Sequence, residues 1–149
     1  MKTNLISPVL GTVKDIAESS DFMFAEKILG DGIFVSPTDS YVIAPCDGKI
    51  NSITKSKHAI TLYTDNQVPV LLHIGIDTVE LNGKGFDLFV KEGQLVKAGQ
   101  KLAKVDFDFI KEQGYDNATI MIIPEKKYKV DKMNLDKNLV SYEQILEVY

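Results

Sequence analysis

Apolar and β-branched residues recur along this chain in short runs, each bounded by Gly, Pro, Asp or Asn. That punctuation belongs to strands rather than helices. The runs cover residues 11–16, 32–37, 41–44, 48–54, 59–64, 69–76, 101–105 and 119–123. Strands at this density predict an all-β fold, a flattened antiparallel β-barrel-sandwich. Helical patterning is confined to short turns near 108–113 and 141–148, and no strand–helix rhythm suggests a parallel sheet. The segment Ser7-Pro8-Val9-Leu10-Gly11-Thr12-Val13 echoes Ala44-Pro45-Cys46-Asp47-Gly48-Lys49-Ile50, so two strands are expected to begin alike. The Lys- and Asp-rich stretch 125–137 reads as a solvated loop and edge hairpin.

Length and composition narrow the class. The 149 residues suit one domain, 1–149, with a single core, and 44% hydrophobic against 26% charged residues is an ordinary globular balance. The N-terminal residues hold no apolar stretch of signal-peptide length, which predicts a cytoplasmic protein without membrane insertion. Cys46 stands alone, so neither an internal disulfide nor a thiolate metal cluster is available, and it reads as a buried small hydrophobe. A net charge of −4, with every basic residue a lysine, argues against nucleic-acid binding.

Candidate chemistry lies with the only two histidines, His58 and His73. With a period of two, 69–76 sends Val70, Leu72, Ile74 and Ile76 to one face and Leu71, His73 and Gly75 to the other, with Asp77 following on the second. One face is core and the other is free for solvent or chemistry. The same period groups His58 with Ile60 and Leu62, so alternation alone does not bring it to the face of His73. The turn Thr64-Asp65-Asn66-Gln67 nevertheless makes the two runs hairpin partners. Two unrelated histidines, each bonded locally, are the plain reading. Local sequence points further. Gly75 offers a bare carbonyl to Nδ1 of His73, which would hold Nε2 free, and Ser56 is placed to orient His58 in the same way. Two neutral imidazoles side by side suit phosphoryl transfer, with His73 the nucleophile and His58 a donor to the phosphoryl oxygens. They equally suit zinc, for which His58, His73 and Asp77 would be the three ligands, although no His-x-His pair or His-Glu-x-x-His helix accompanies them.

The segment Leu71-Leu72-His73-Ile74-Gly75-Ile76-Asp77-Thr78-Val79-Glu80-Leu81 resembles the glucose-type IIA component of the bacterial phosphoenolpyruvate-dependent sugar phosphotransferase system. Phe24-Ala25-Glu26-Lys27-Ile28-Leu29-Gly30-Asp31-Gly32, Ala44-Pro45-Cys46-Asp47-Gly48, Lys57-His58-Ala59, Asn82-Gly83-Lys84-Gly85-Phe86 and Lys97-Ala98-Gly99-Gln100-Lys101-Leu102 are similar to further blocks in the family order. The resemblance implies a flattened β-sandwich, without a cofactor, that takes a phosphoryl group from the phosphocarrier HPr and passes it to a IIB domain of a sugar permease. It makes His73 the phosphorylated residue and His58 its phosphate-stabilising neighbour, with Ser56 standing where the family usually has Thr. It makes Asp21 and Asp77 a pair of acidic rim residues that repel the phosphoryl group. Phe22, Met23, Phe24, Ile33 and Leu71 become contributors to a shallow apolar docking surface.

Some positions depart from the pattern. Gln67 stands where the family signature expects Gly, Pro124 replaces an Asn, and residues 125–149 match poorly. The chain begins almost at the first family strand and carries no IIB or IIC portion, which implies action in trans, and docking two partners in turn favours a monomer. The rivals are a regulatory module of the same fold, choosing permeases or kinases by phosphorylation state, and a zinc hydrolase-like site at His58 and His73.

Overall fold

The computed structural model describes residues 2–149. In chain order the strands are β1 (Thr3–Ile6), β2 (Gly11–Asp15), β3 (Asp31–Pro37), β4 (Tyr41–Ile43), β5 (Gly48–Ile53), β6 (Ala59–Thr64), β7 (Pro69–Ile76), β8 (Phe86–Leu88), β9 (Leu95–Val96), β10 (Lys101–Val105), β11 (Asp116–Ile123), β12 (Val130–Lys132), β13 (Asn138–Leu139) and β14 (Gln144–Val148). Two short helices, α1 (Phe22–Ala25) and α2 (Phe107–Glu112), and two 3₁₀ turns complete the chain. Every strand pairing is antiparallel. The all-β sandwich is as expected, with sheets that remain open rather than closing into a barrel. No described helix is long and apolar enough to cross a membrane.

An eight-stranded sheet, ordered β13-β2-β3-β11-β7-β6-β5-β9, faces two three-stranded sheets, β4-β10-β8 and β1-β14-β12. Its inner face carries the main core, with Val13, Val35, Met121, Ile74, Leu72, Ile60 and Leu62 packed against Val42, Leu102, Val105, Leu146 and Val148. Its outer face carries a much smaller cluster of Ile16, Phe24, Ile76, Ile120 and Ile122, flanked by Phe34 and Leu71. This second cluster exists because residues 16–30, between β2 and β3, leave the sheet and fold back over its outside.

The echoed segments do begin two strands, β2 at Gly11 and β5 at Gly48. A Cβ on Gly11 would lie 2.0 Å from the Ser36 carbonyl oxygen, and one on Gly48 would lie 2.2 Å from that of Tyr63. Both corners need a backbone approach that any side chain would block. The 64–67 turn forms as a tight hairpin, with the Gln67 N–H donating to the Thr64 carbonyl at 2.8 Å. Gln67 adopts φ 66° there, so the chain retains a left-handed turn in which glycine would be less strained.

Two readings of the C-terminal region are corrected. Residues 141–148 do not make a helical turn: Gln144–Val148 is the central strand of its sheet, with Leu146 opposite both Leu5 and Lys132. Ile145, Leu146 and Val148 are fully buried, and ladder pairing on both edges outweighs a short helical periodicity. The 125–137 stretch supplies the edge strand β12, yet it is not wholly solvated, because the Lys132 side chain is only 10% exposed and bridges Asp15 and Asp31. Cys46 is buried as expected, and burial pushes its thiol pKa up to about 12.

Candidate functional site

The alternation along β7 holds. Val70, Leu72 and Ile74 are fully buried on the inner face, while Leu71 and His73 are half-buried on the outer one. Just past His73 the strand turns sharply: Gly75 has φ +76° and Asp77 has φ 62°. That turn aims the Gly75 carbonyl back at the ring, and His73 Nδ1 meets it at 2.7 Å. The carbonyl only accepts, so Nδ1 carries the proton and Nε2 keeps its lone pair. A Cβ at Gly75 would strike the Thr78 methyl at 2.4 Å and the Asp116 carbonyl oxygen at 3.0 Å, so the turn has no room for a side chain. The Thr78 hydroxyl fastens it from the other side by donating to the Ile74 carbonyl at 2.5 Å.

His58 reaches His73 by a route that period-two alternation does not describe. It precedes β6, whose first residue Ala59 lies opposite His73, and it follows Lys57 at φ 65°. The Lys57 N–H closes a turn onto the Thr54 carbonyl at 2.9 Å. The rings of His58 and His73 stand 4.9 Å apart at 82°, an edge-to-face contact. The Ser56 hydroxyl lies 2.7 Å from His58 Nδ1. A second hydroxyl was not foreseen: Thr54 Oγ1 lies 3.3 Å from the same nitrogen and accepts from the Ala59 N–H at 3.2 Å. Its signal was the short Thr-x-Ser-x-His spacing.

The 16–30 excursion completes the surroundings. Asp21 caps α1 by accepting from the Met23 N–H at 3.0 Å, and the Phe24 ring packs edge-on against His73 at 5.2 Å. A cleft of about 330 Å³ is lined by Ser20, Asp21, Phe22, Ile76, Asp77, Tyr115 and Asp116. Asp116 is a third carboxylate at this rim, accepting from the Ser20 hydroxyl at 2.6 Å, and the sequence reading had not selected it.

Of the five expected docking residues, Phe22 at 66% and Met23 at 42% are exposed. Phe24 is buried as the lid on His73 rather than as open surface. Ile33 is corrected outright: it points inward from β3 and is fully buried in the main core, so nothing outside can touch it. Val79, two residues past Asp77, is a further exposed apolar side chain, at 47%.

Both imidazoles are held neutral. Burial lowers the pKa of His58 to about 4, helped by the charge His73 would carry. Burial also lowers that of His73, against the opposing pull of the Gly75 carbonyl and the Asp21 and Asp77 carboxylates. A neutral His73 with a free Nε2 is a nucleophile, and a neutral His58 beside it can donate a single hydrogen bond. The zinc trio does not assemble: among the described residues no three His, Cys, Asp or Glu side chains converge as metal ligands.

This pair, on the outer face of an open β-sandwich, matches known proteins in both sequence and shape. The chain belongs to the family described as phosphoenolpyruvate-dependent sugar phosphotransferase system, EIIA 1, a model of which matches residues 3–128. It is a phosphoryl relay component of that system, a phosphotransferase component. It is 40% identical over 125 residues to the glucose-specific EIIA component of Bacillus cereus, covering 82% of this chain and 76% of that one. It is 43% identical over 117 residues to the glucose-specific EIICBA component of Staphylococcus carnosus, covering 78% of this chain and 17% of that one. The solved glucose permease IIA of Mycoplasma capricolum superposes with a TM-score of 0.90 at 30% identity, over 99% of this chain and 96% of that one.

Proposed function

We propose that Nε2 of His73 accepts a phosphoryl group from HPr and delivers it to a IIB domain of a sugar permease, in the cytoplasm, with the chain acting as one monomeric IIA domain over 1–149. The observation that carries this reading is the 2.7 Å bond from His73 Nδ1 to the Gly75 carbonyl. It fixes the tautomer and aims the free nitrogen outward. The Nε2 lone pair attacks the phosphorus of the donor phosphohistidine as the donor P–N bond breaks, and the donor nitrogen leaves with that electron pair. The proton stays on Nδ1, donated to the Gly75 carbonyl, which stabilises the positive charge that the phosphorylated ring carries. The second transfer repeats the step with His73 as the leaving group.

His58 serves the phosphoryl oxygens. In this reading the Ser56 hydroxyl, 2.7 Å away, donates to His58 Nδ1, which puts the imidazole proton on Nε2, where the transferring group can accept it. Asp21 and Asp77 set an opposing field that keeps the phosphorylated state from becoming a sink. Exposed Phe22, Met23 and Val79, with half-buried Leu71, supply a docking surface of the weak kind a shuttle needs. One core running from Leu5 to Val148 supports the single-domain reading. A IIB partner is supported by the Staphylococcus carnosus relative, whose name joins A to B and C components.

The test is intact mass after incubation with phosphoenolpyruvate, enzyme I and HPr. The wild type is expected to gain one acid-labile phosphoryl group and His73→Gln none. Equal gain by both proteins, or none by either, overturns the assignment.

A further inference from the structure

The excursion that brings Asp21 and Phe24 to His73 leaves the sheet at Asp15 and rejoins it at Asp31. Both of these terminal residues are aspartates, and both contact the same ammonium. Lys132 Nζ lies 2.8 Å from Asp15 Oδ1 and 2.6 Å from Asp31 Oδ1, with its side chain only 10% exposed. It comes from β12, in a different sheet and beyond residue 128, where the family match ends. Each carboxylate also bonds to nearby backbone, Asp15 inside the excursion and Asp31 at the start of β3. Asp15 accepts from the Ala17 N–H at 3.1 Å, and Asp31 accepts from the Gly32 N–H at 2.9 Å. Among the described residues the other cation within ion-pair distance of either is Lys27, 3.7 Å from Asp31 and 46% exposed.

This arrangement closes a neck. Without the ammonium, two partly buried carboxylates bound to one point would repel each other and part the ends of the loop. Beyond this neck the excursion is held to the sheet by Ile16 and Phe24 in the outer cluster and by the Ser20 hydroxyl's bond to Asp116. Displacements of about 1 Å at a reacting centre cost up to about 10²-fold in rate. We propose that Lys132 is a positioning residue for phosphoryl transfer: by joining Asp15 to Asp31 it holds Asp21 and Phe24 in place against His73. The inference rests on the reading of His73 as phosphoryl acceptor.

The test compares wild type, Lys132→Met, Lys132→Arg and Asp31→Asn. Three quantities are measured on each: the thermal midpoint, the rate of phosphorylation by HPr well below that midpoint, and the His73 pKa by NMR titration of labelled imidazole. The direction of the pKa change separates positioning from simple charge. Deleting a cation through space would raise the His73 pKa, whereas drift of the Asp21 carboxylate, which now raises it, would lower it. Lys132→Met is expected to lower the His73 pKa and slow transfer about tenfold or more, with Lys132→Arg recovering most of both. Asp31→Asn, which leaves Lys132 on Asp15, is expected to slow transfer by less; because losing an anion lowers the His73 pKa through space as well, its rate alone decides the matter if Lys132→Met does not fold. A lower thermal midpoint with unchanged rate and pKa, or a raised pKa, overturns the clamp. If wild type takes no phosphoryl group, the His73 reading fails, while the pKa shifts still judge the clamp.

Discussion

The two faces of β7 differ by one residue in sequence and by everything in role. Leu72 points inward and is fully buried in the main core. His73 points outward, half-buried, between His58 and a lid of one phenylalanine. The inner face is closed by two opposing sheets, while residues 16–30 fold over the outer face. Stability is therefore concentrated on one side of the strand and reactivity on the other. The largest predicted contrast follows from changing these neighbours singly. Leu72→Ala is expected to cost about 2–5 kcal/mol in chemical denaturation while the folded fraction still accepts phosphate. His73→Gln is expected to abolish phosphorylation with little change in the denaturation midpoint. If His73→Gln unfolds the protein, the division between the faces is wrong.

Gly75 lies on the outer face but is sealed by Thr78 and the Asp116 backbone, so stability and reactivity meet in it. Alanine there must accept φ +76° and a Cβ 2.4 Å from the Thr78 methyl. Gly75→Ala is expected to destabilise by about 1–2 kcal/mol from the left-handed backbone alone, with steric strain added. It should also slow phosphoryl transfer about tenfold or more, because the carbonyl that fixes the His73 tautomer must move. Stopped-flow transfer from HPr, measured beside a denaturation curve, separates the two effects. Full transfer in a destabilised Gly75→Ala would break the link between this turn and the nucleophile.

The outer face also carries the pH dependence. Burial holds His58 at a pKa of about 4, and His73 is lowered too, while in the unfolded chain both return to about 6.5. Between those values the unfolded state binds more protons, so stability is complete above about pH 6.5 and is lost as the pH falls toward 4. As the pH falls from about 6.5 to 5 the slope of stability is expected to rise toward one proton taken up on unfolding from His58, with His73 adding to it. His58→Asn should remove the His58 share. An unchanged slope in that variant would show that His58 titrates normally in the folded protein.

How far these faces could be read from sequence depended on how local each signal was. The β7 alternation and the Gly75 carbonyl two residues past His73 are local, and both were legible. The approach of His58 was legible from the 64–67 hairpin but not from alternation, because a left-handed Lys57 shifts it off the strand's parity. Asp21 was identifiable only by resemblance, since the excursion that carries it to His73 is held by contacts remote in sequence. Ile33 was placed on the docking surface and lies in the core, because a family block gives membership and not facing. Lys132 and β14 were hidden for a similar reason: the partners that bury them, Asp15, Asp31, Leu5 and Leu146, are set by tertiary pairing. A polar stretch and a short apolar run do not announce such partners.

The smallest expected effect tests the comparison from the opposite side. On the outer face the buried polar groups at the site are all partnered: His73 with Gly75, His58 with Ser56, and Thr78 with Ile74. The one buried side-chain polar atom without a partner is Thr119 Oγ1, among the described residues. Thr119 sits on β11 opposite Ile74 on one side and Val35 on the other, both inner-face core residues. A hydroxyl there gives up its water and receives nothing in return. Valine has nearly the same shape without that demand, so Thr119→Val is expected to stabilise the protein by about 1 kcal/mol and leave the phosphorylation rate unchanged. A destabilised Thr119→Val would mean the hydroxyl is satisfied after all. A slowed one of normal stability would mean that the inner face reaches the chemistry, and the separation of roles along β7 would have to be redrawn.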